Sequence, residues 1–261
     1  EVDEGQAEES TQPELAKGKT IGGYAYPFID KEILEQSFPA LKELLVFSYG
    51  FTFEGNLVPP LQDDLWMIET AWRHGAKPIM VLTPFSEGAF NNQLVKVLTE
   101  NVEVQERLLE QLTAEVRRRG FAGVNIDFEY VKKDFADDYL QFLRELSIAC
   151  QNNGLVLSVD NYKPANHNAH YELAEQAVFV DYMGYDEHYA GSDAGSVASL
   201  PFVEDGISRA VSMVPSEQVI NAVPFYTRIW TENAGETKSR AVGMQAAMDA
   251  MQENGATAEW D

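Results

Sequence analysis

Three polar side chains alternate with large apolar ones in a short stretch near the middle of this 261-residue chain. Asn125, Asp127 and Glu129 are each separated by one residue, so on a β-strand all three point to the same side. Two carboxyls held close together in a buried place repel each other unless one of them keeps its proton. A carboxyl whose pKa is raised in this way can act as a general acid near neutral pH. The stretch is therefore the first candidate for a catalytic centre.

The same pattern has a structural interpretation, because any half-exposed strand carries polar side chains on its solvent face. The residues of the opposite face, Val124, Ile126 and Phe128, are large and apolar, and apolar segments flank the stretch. This predicts a strand that is buried on both sides, where an amide and two acids in a row are costly to keep without a function. The catalytic interpretation is favoured for that reason.

The elements that would hold this stretch alternate between helices and strands. The helix before it has a core stripe at Leu108, Leu112 and Val116 and is expected to stop at Gly120. The helix after it is expected over Ala136–Gln151. Other strands are expected at 20–26, 43–49, 77–83, 155–160, 177–186 and 218–224. No glycine-rich phosphate loop follows a strand, so these parallel βαβ units predict an α/β barrel with its site at the carboxyl ends of the strands.

The central stretch resembles the signature of glycoside hydrolase family 18, Asp-Gly-x-Asp-x-Asp-x-Glu, which ends the fourth strand of a (β/α)8 TIM barrel. Gly123, Asp127 and Glu129 match this signature, whereas Ala122 and Asn125 stand where the family has Asp. The departures spare the two acids that do the chemistry in the family, but they remove one partner of Asp127. Asn within Gly-Val-Asn-Ile-Asp-Phe-Glu resembles the bacterial spore-cortex and cell-wall branch more than the typical chitinases.

Two further motifs carry the resemblance in the expected order. Met183–Asp186 is similar to the Met-x-Tyr-Asp of the family's sixth strand. Val223–Trp230 is similar to the Pro-Phe-Tyr-Gly-Arg-x-Trp of the seventh strand, with Thr227 in place of Gly. The resemblance covers roughly residues 20–261.

The resemblance implies a mechanism and roles for three residues. Glu129 would protonate the glycosidic oxygen and later activate water. Asp127 would accept the N–H of the substrate's 2-acetamido group and orient its carbonyl oxygen to attack the anomeric carbon, which gives an oxazolinium intermediate and retained configuration. Tyr185 would donate its hydroxyl to the acetamido oxygen, although a tyrosine at this place could instead simply fill the barrel.

Further side chains are expected to contact the substrate. The resemblance gives this role to Asp186, Tyr226 and Arg228, with a helix cap as the alternative for Asp186. Tyr24 and Tyr49 fall near strand ends, where their rings could stack on sugars or pack in the core. The complete set of predicted substrate-binding residues is Asn125, Asp186, Tyr24, Tyr49, Tyr226 and Arg228.

The composition narrows the range of partners. A formal net charge of −23 argues against nucleic acid or an anionic membrane surface. No apolar run approaches the ~18 residues of a membrane span, and the single cysteine excludes an internal disulfide. No metal or cofactor is expected, because the histidines, among them His167 and His170, lack the spacing of a metal site. We expect a monomer that is secreted or exposed on a bacterial surface and acts on a carbohydrate polymer.

Two regions are expected, a disordered acidic linker over residues 1–19 and a family 18-like catalytic barrel over residues 20–261. Nothing after Gly243 has the pattern of the family's eighth strand, since residues 243–254 have that of a helix. An open seven-stranded barrel exposes two parallel edges. We therefore expect a clipped version of a longer protein, with the C-terminal part of the barrel missing.

The predicted function is that of a retaining glycosidase of the chitinase or β-N-acetylglucosaminidase type. Peptidoglycan and chitin both supply the acetamido group, and Asn125 favours the cell-wall branch. The alternative is a lectin-like barrel that binds such glycans without cleaving them, as in family members that have lost the glutamate. Glu129 is retained here, which favours the enzyme.

Overall fold

The computed structural model describes residues 19–86, 89–129, 131–161 and 179–259, so all of the linker predicted over 1–19 except its last residue lies outside the described residues. The strands are β1 (Gly22–Ala25), β2 (Glu43–Phe51), β3 (Leu57–Val58), β4 (Lys77–Leu82), β5 (Phe85–Ser86), β6 (Ala89–Phe90), β7 (Gly123–Ile126), β8 (Val156–Asn161), β9 (Phe179–Met183), β10 (Val219–Ala222), β11 (Tyr226–Asn233) and β12 (Glu236–Gly243). The helices are α1 (Lys31–Ser37), α2 (Leu65–Arg73), α3 (Asn92–Glu100), α4 (Val102–Arg119), α5 (Ala136–Asn152), α6 (Leu200–Met213) and α7 (Met244–Glu253).

The main sheet of the described residues contains seven parallel strands in the order β1-β2-β4-β7-β8-β9-β10. It curls into part of a barrel, with helices in those connections between its strands that the structure describes, and the prediction of an α/β barrel is confirmed. Within the described ranges no strand joins β10 to β1. Every strand runs in the same direction, so the carboxyl ends of all seven meet at one rim.

The helix α4 leads the chain into β7, and its ends follow from its sequence. The Asn101 side chain accepts a hydrogen bond from the Val104 N–H and so caps the first turn. Gly120 ends the helix in the left-handed conformation, with φ of 83°, as predicted. The predicted stripe of Leu108, Leu112 and Val116 is buried against the sheet.

The strand β7 is buried on both faces, which decides between the two interpretations of its pattern. Val124, Ile126 and Phe128 belong to the large core between the sheet and the helices. Asn125 and Asp127 lie on the barrel side and are 0% and 5% exposed. The alternation therefore separates an apolar face that packs against helices from a polar face that is directed into the barrel.

Phe142→Ala is expected to lower the free energy of unfolding by about 3–5 kcal/mol. Phe142 lies on α5 with no exposed surface, and its ring stacks on that of Phe128 at 6.0 Å between centroids. Urea unfolding followed by circular dichroism measures the loss. Ile148→Ala is the matched control on the same helix, because Ile148 is 53% exposed, and we expect a change below about 1 kcal/mol. Equal losses in the two variants would contradict this packing.

Two hairpins extend the barrel. The strand β3 pairs antiparallel with the end of β2 and forms a short hairpin. The strands β11 and β12 form a long antiparallel ribbon after β10, which the sequence pattern did not predict. The helix expected after Gly243 is present as α7. No helix among the described residues has the length and apolar character needed to cross a membrane.

Candidate active site

Three acidic residues lie level with one another where β7, β8 and β9 reach the barrel rim. Asp160 and Asp181 are direct register partners, and the pairing of Ile126 with Val159 places the next residue, Asp127, beside Asp160. Neighbouring strands are about 4.8 Å apart, so the three carboxyls form one row. None of the three residues is more than 7% exposed. The parallel register thus assembles a buried acidic row from three separate strands.

Asn125 lies one step below this row and connects its members. Its amide nitrogen is 2.8 Å from Ser158 Oγ, 2.8 Å from Asp160 Oδ1 and 3.2 Å from Asp181 Oδ2. The amide has only two hydrogens, and all of its acceptors belong to the protein. Asn125 has no exposed surface, so the prediction that it binds substrate is wrong. Burial under the acids gives it an internal role instead.

The hydroxyl of Tyr24 reaches the same acids from β1. It donates to the carboxyl of Asp160, at 2.9 Å from Oδ1 and 3.1 Å from Oδ2, and lies 3.4 Å from Asp181 Oδ2. Tyr24 as a whole residue remains 42% exposed. Stacking of this ring on a sugar stays a prediction, whereas the hydroxyl is already engaged inside the protein.

The electrostatics of Asp127 and Glu129 suit proton transfer. Burial raises the pKa of Asp127 well above its ordinary value, and the charges of Asp160 and Glu129 raise it further. Burial, followed by the charges of Asp160 and Asp186, raises the pKa of Glu129 to about 7. In the part of the chain that the structure describes, no ion pair involves any of these acids. Glu129 is therefore still substantially protonated near neutral pH.

Tyr185, Asp186 and Tyr226 complete the rim on the far side of Glu129. The Tyr226 hydroxyl donates to Asp186, and the rings of Tyr185 and Tyr226 meet edge to face at 6.2 Å. Burial raises the pKa of Tyr185, and the charges of Asp160, Asp127 and Glu129 add to this, so its hydroxyl stays protonated and within their influence. The structure therefore brings Tyr185 to the acids, and its catalytic role stays a prediction.

Asp186 has a left-handed backbone, with φ of 58°, which is uncommon for a residue other than glycine. The alternative that it caps a helix is wrong, because the next helix, α6, is capped by Ser199. A strained residue at a site is retained when its orientation matters. The hydrogen bond from Tyr226 fixes that orientation.

Arg228 lies on β11, in the ribbon that follows β10. Its Nε donates to Ser239 Oγ at 3.1 Å, and its charge lowers the pKa of Tyr226, although burial raises that pKa overall. The neighbouring Trp230 donates its indole N–H to the Gly195 carbonyl and so ties the ribbon to the loop after β9. Substrate contacts of Tyr226 and Arg228 stay predictions.

Tyr49 is not part of the site, and its prediction as a substrate-binding residue is wrong. It has no exposed surface, its hydroxyl donates to Asp64 Oδ2 at 2.8 Å, and its ring packs edge-on against Phe121. The pairing of β2 with β4 shifts register between Val46 and Tyr49. Such an irregularity changes which face a side chain occupies, and Tyr49 packs in the core, which was the alternative left open for it.

Asp160 and Asp181 were absent from the predicted site, although a signal for them exists. Each is the one acid of a mostly apolar strand, Asp160 in Val-Leu-Ser-Val-Asp-Asn and Asp181 in Phe-Val-Asp-Tyr-Met. Among the described residues, no group of three His, Cys, Asp or Glu side chains is placed to hold a metal ion. His167 and His170 lie outside the described residues.

A parallel barrel sheet with buried carboxyls at the rim of its strands defines a protein of the barrel glycoside hydrolase class. The chain belongs to glycosyl hydrolases family 18, whose family model matches residues 79–261, and the resemblance seen in the sequence is confirmed.

The matching proteins include spore cortex-lytic enzymes and a chitinase. The chain is 28% identical to the cortical fragment-lytic enzyme of Bacillus subtilis over 245 residues, which are 88% of this chain and 56% of that protein. The crystal structure of the Bacillus megaterium spore cortex-lytic enzyme SleL matches with a TM-score of 0.83 at 21% identity, over 93% of this chain and 59% of that one. A chitinase from Chromobacterium violaceum also gives 0.83, at 20% identity, over 93% of this chain and 79% of that one. The chain spans about half the length of the curated relatives it matches.

Proposed function

We propose that this chain carries the catalytic centre of a retaining glycosidase that cleaves β-linked N-acetylglucosamine polymers with the help of the substrate's own acetamido group. The observation that carries the proposal is the placement of Glu129, with a pKa of about 7, next to the buried Asp127 at the barrel rim. Glu129 can donate a proton near neutral pH, and Asp127 is shielded from water.

Glu129 acts as the acid and then as the base. Its proton passes to the glycosidic oxygen as the bond from that oxygen to the anomeric carbon breaks. In the second half of the reaction a water molecule attacks the anomeric carbon while the Glu129 carboxylate takes its proton. This proton transfer returns Glu129 to its acid form. Its partial burial and its acidic neighbours keep the pKa near the range in which both steps proceed.

Asp127 and Tyr185 handle the acetamido group. Asp127 Oδ1 is buried and has no hydrogen-bond partner among the described residues, so an acceptor is available for the acetamido N–H. This contact aims the acetamido carbonyl oxygen at the anomeric carbon, where it displaces the leaving group and forms the oxazolinium ring. The Tyr185 hydroxyl donates to that oxygen and stabilises its developing charge.

The preferred substrate is the glycan strand of bacterial peptidoglycan. The matched relatives include proteins named for lysis of cortical fragments and of spore cortex, and Asn125 resembles that branch. The chain then acts outside the bacterial cytoplasm, as a secreted or surface-exposed monomer. Its formal charge of −23 suits a substrate that it must recognise through neutral sugars rather than through attraction to anions.

The test compares two polymers side by side. Purified spore-cortex peptidoglycan and colloidal chitin are incubated with the protein, and released fragments are quantified by mass spectrometry and reducing-end assay. We expect soluble muropeptides from the first polymer and a smaller yield from the second. Activity on chitin alone would overturn the peptidoglycan preference. Binding to either polymer without any new reducing ends over a day would favour the lectin-like alternative.

The activity is expected to fall as the pH rises through about 7. The reaction needs the protonated form of Glu129, and a pKa of about 7 means that this form is lost above that pH. The expected pH profile of kcat/KM therefore has its basic limb near 7. Initial rates between pH 4 and pH 9 on a soluble N-acetylglucosamine oligosaccharide measure it. A basic limb near pH 4.5, the ordinary glutamate value, would contradict the burial described for this residue.

A further inference from the structure

The neutral side chain at position 125 leaves Asp127 without an acid below it on the same strand. The register supplies one from the next strand, because Asp160 lies level with Asp127 and its carboxyl accepts the Asn125 amide at 2.8 Å. The acid nearest to Asp127 on the barrel side therefore belongs to the neighbouring strand β8. This inference rests on the proposed function and concerns the same site.

The Asp160–Asp181 pair cannot hold two charges. The two residues are 7% and 4% exposed, and the Asn125 nitrogen lies within 3.2 Å of an oxygen of each carboxyl. None of the ion pairs within the described residues reaches them, so only neutral donors face them. Two buried carboxylates held side by side without a cation share one proton.

The geometry decides which carboxyl keeps the charge. Asp160 is the middle member of the row, and it collects the amide of Asn125 and the hydroxyl of Tyr24 at distances of 2.8–3.1 Å. Asp181 has one oxygen, Oδ1, that is buried without a partner among the described residues. A charge is most stable where donors converge, so Asp181 carries the proton and Asp160 the charge.

We propose that Asp160 is the positioning residue of this site: a fixed carboxylate, held by Asn125, Tyr24 and protonated Asp181, that takes over the function of the acid missing at position 125. It acts through Asp127 and Glu129, because its negative charge raises the pKa of both carboxyls. Asn125 and Asp160 form a matched pair, because the amide at position 125 donates to the carboxylate beside it, which an ionised aspartate at that position could not do.

The surroundings of Asp160 contain no competing cation among the described residues. The titratable groups that face it are acids and phenols from several elements of the barrel. They are Tyr24 from β1, Asp127 and Glu129 after β7, Tyr139 from α5, Asp181 from β9 and Tyr185 after β9. Glu43 faces Asp181 from the start of β2. Removing the charge of Asp160 therefore changes the balance of a site made of like charges.

The experiment compares Asp160→Asn with the exchange variant that combines Asn125→Asp and Asp160→Asn. We expect the single variant to lose about tenfold or more in kcat with KM changed less than about threefold, since it acts through the catalytic acids. Its basic limb is expected to move to lower pH by roughly half a unit or more, because a like charge near Glu129 is gone. The exchange variant returns a carboxyl to the site, so we expect it to recover part of kcat and of the shift.

The control is Ser158→Ala, which removes another hydrogen-bond partner of Asn125 without a change in charge, and its basic limb is expected to stay in place. An unchanged pH profile in Asp160→Asn, or an exchange variant no better than a folded single variant, would overturn the proposal. If Asp160→Asn does not fold, the exchange variant is compared directly with wild type. We then expect the exchange variant to retain part of the wild-type activity.

Carbon-13 NMR titration of the Glu129 carboxyl in wild type and Asp160→Asn provides a readout that needs no turnover. A lower pKa in the variant supports the proposal, and an equal pKa overturns it. An inactive wild type whose Glu129 pKa still falls in the variant would refute the proposed function and leave the placement of the charge intact. An active wild type whose Glu129 pKa equals that of the Asp160→Asn variant would support the proposed function and refute the placement of the charge.

Discussion

Glu129→Gln is expected to lower kcat on an N-acetylglucosamine polymer by about 10²–10⁴-fold. The amide cannot give a proton to the leaving oxygen, while its size and hydrogen-bonding surface remain close to those of the acid. The residue is partly buried and its pKa is about 7, so the variant loses a carboxyl that can give up a proton near neutral pH. Steady-state kinetics on a soluble oligosaccharide measure the loss, with calorimetry for binding.

Glu145→Gln is the matched control, because Glu145 is an exposed glutamate on α5. We expect wild-type kinetics from it. The Glu129→Gln variant should still bind the oligosaccharide with an affinity close to that of the parent protein. A variant that cleaves as fast as the parent would eliminate Glu129 as the acid, whatever its pKa.

Asp127→Ala is expected to lower kcat by about 10²–10³-fold, with the larger effect on kcat than on KM. The loss arises because the acetamido oxygen is no longer held in line with the anomeric carbon. The same hypothesis predicts that the wild-type protein does not cleave a matching oligosaccharide in which hydroxyl groups replace the acetamido groups. Kinetics on this pair of substrates distinguish two mechanisms, attack by the substrate's own acetamido group and attack by a carboxylate of the enzyme.

The control for this variant is Asp138→Ala, an exposed acid at the start of α5. It is expected to leave both constants unchanged. Efficient cleavage of the substrate without acetamido groups would contradict substrate assistance and would require a nucleophile from the protein. Asp160 and Asp186 are the remaining carboxyls near Glu129 that would have to be tested for that role.

The alternating stretch at Asn125–Glu129 could be interpreted from sequence because every residue between its polar members is large and apolar. The period of two fixed which side chains share a face, and the structure places Val124 in the core and Asp127 in the barrel, as expected. Helix α4 could be bounded in the same way from its stripe and from Gly120. These are local patterns, which depend on a few neighbouring residues.

The misses depend on contacts between residues that are distant in the chain. Tyr49 was named for its place near a strand end, and it lies in the core after a register shift of β2 against β4. Asp160 and Asp181 meet only because β8 and β9 pair in a particular register, which no single strand records. Asn125 was expected to touch substrate, yet it is buried under these two acids. Pairing between strands therefore determines where these side chains lie, and a local sequence pattern does not contain that information.

The two faces of β7 also differ in how many substitutions they tolerate. Substitutions at Val124, Ile126 or Phe128 disturb the contacts that hold the barrel together, so few alternatives are tolerated there. The barrel-side positions 125, 127 and 129 contribute their charges and donors to the cavity. A directed-evolution library confined to position 125 and to the level residues of β8, with Asp127 and Glu129 kept, is therefore expected to shift the pH optimum of the site. The scaffold beneath would tolerate such experiments because its own packing is left untouched.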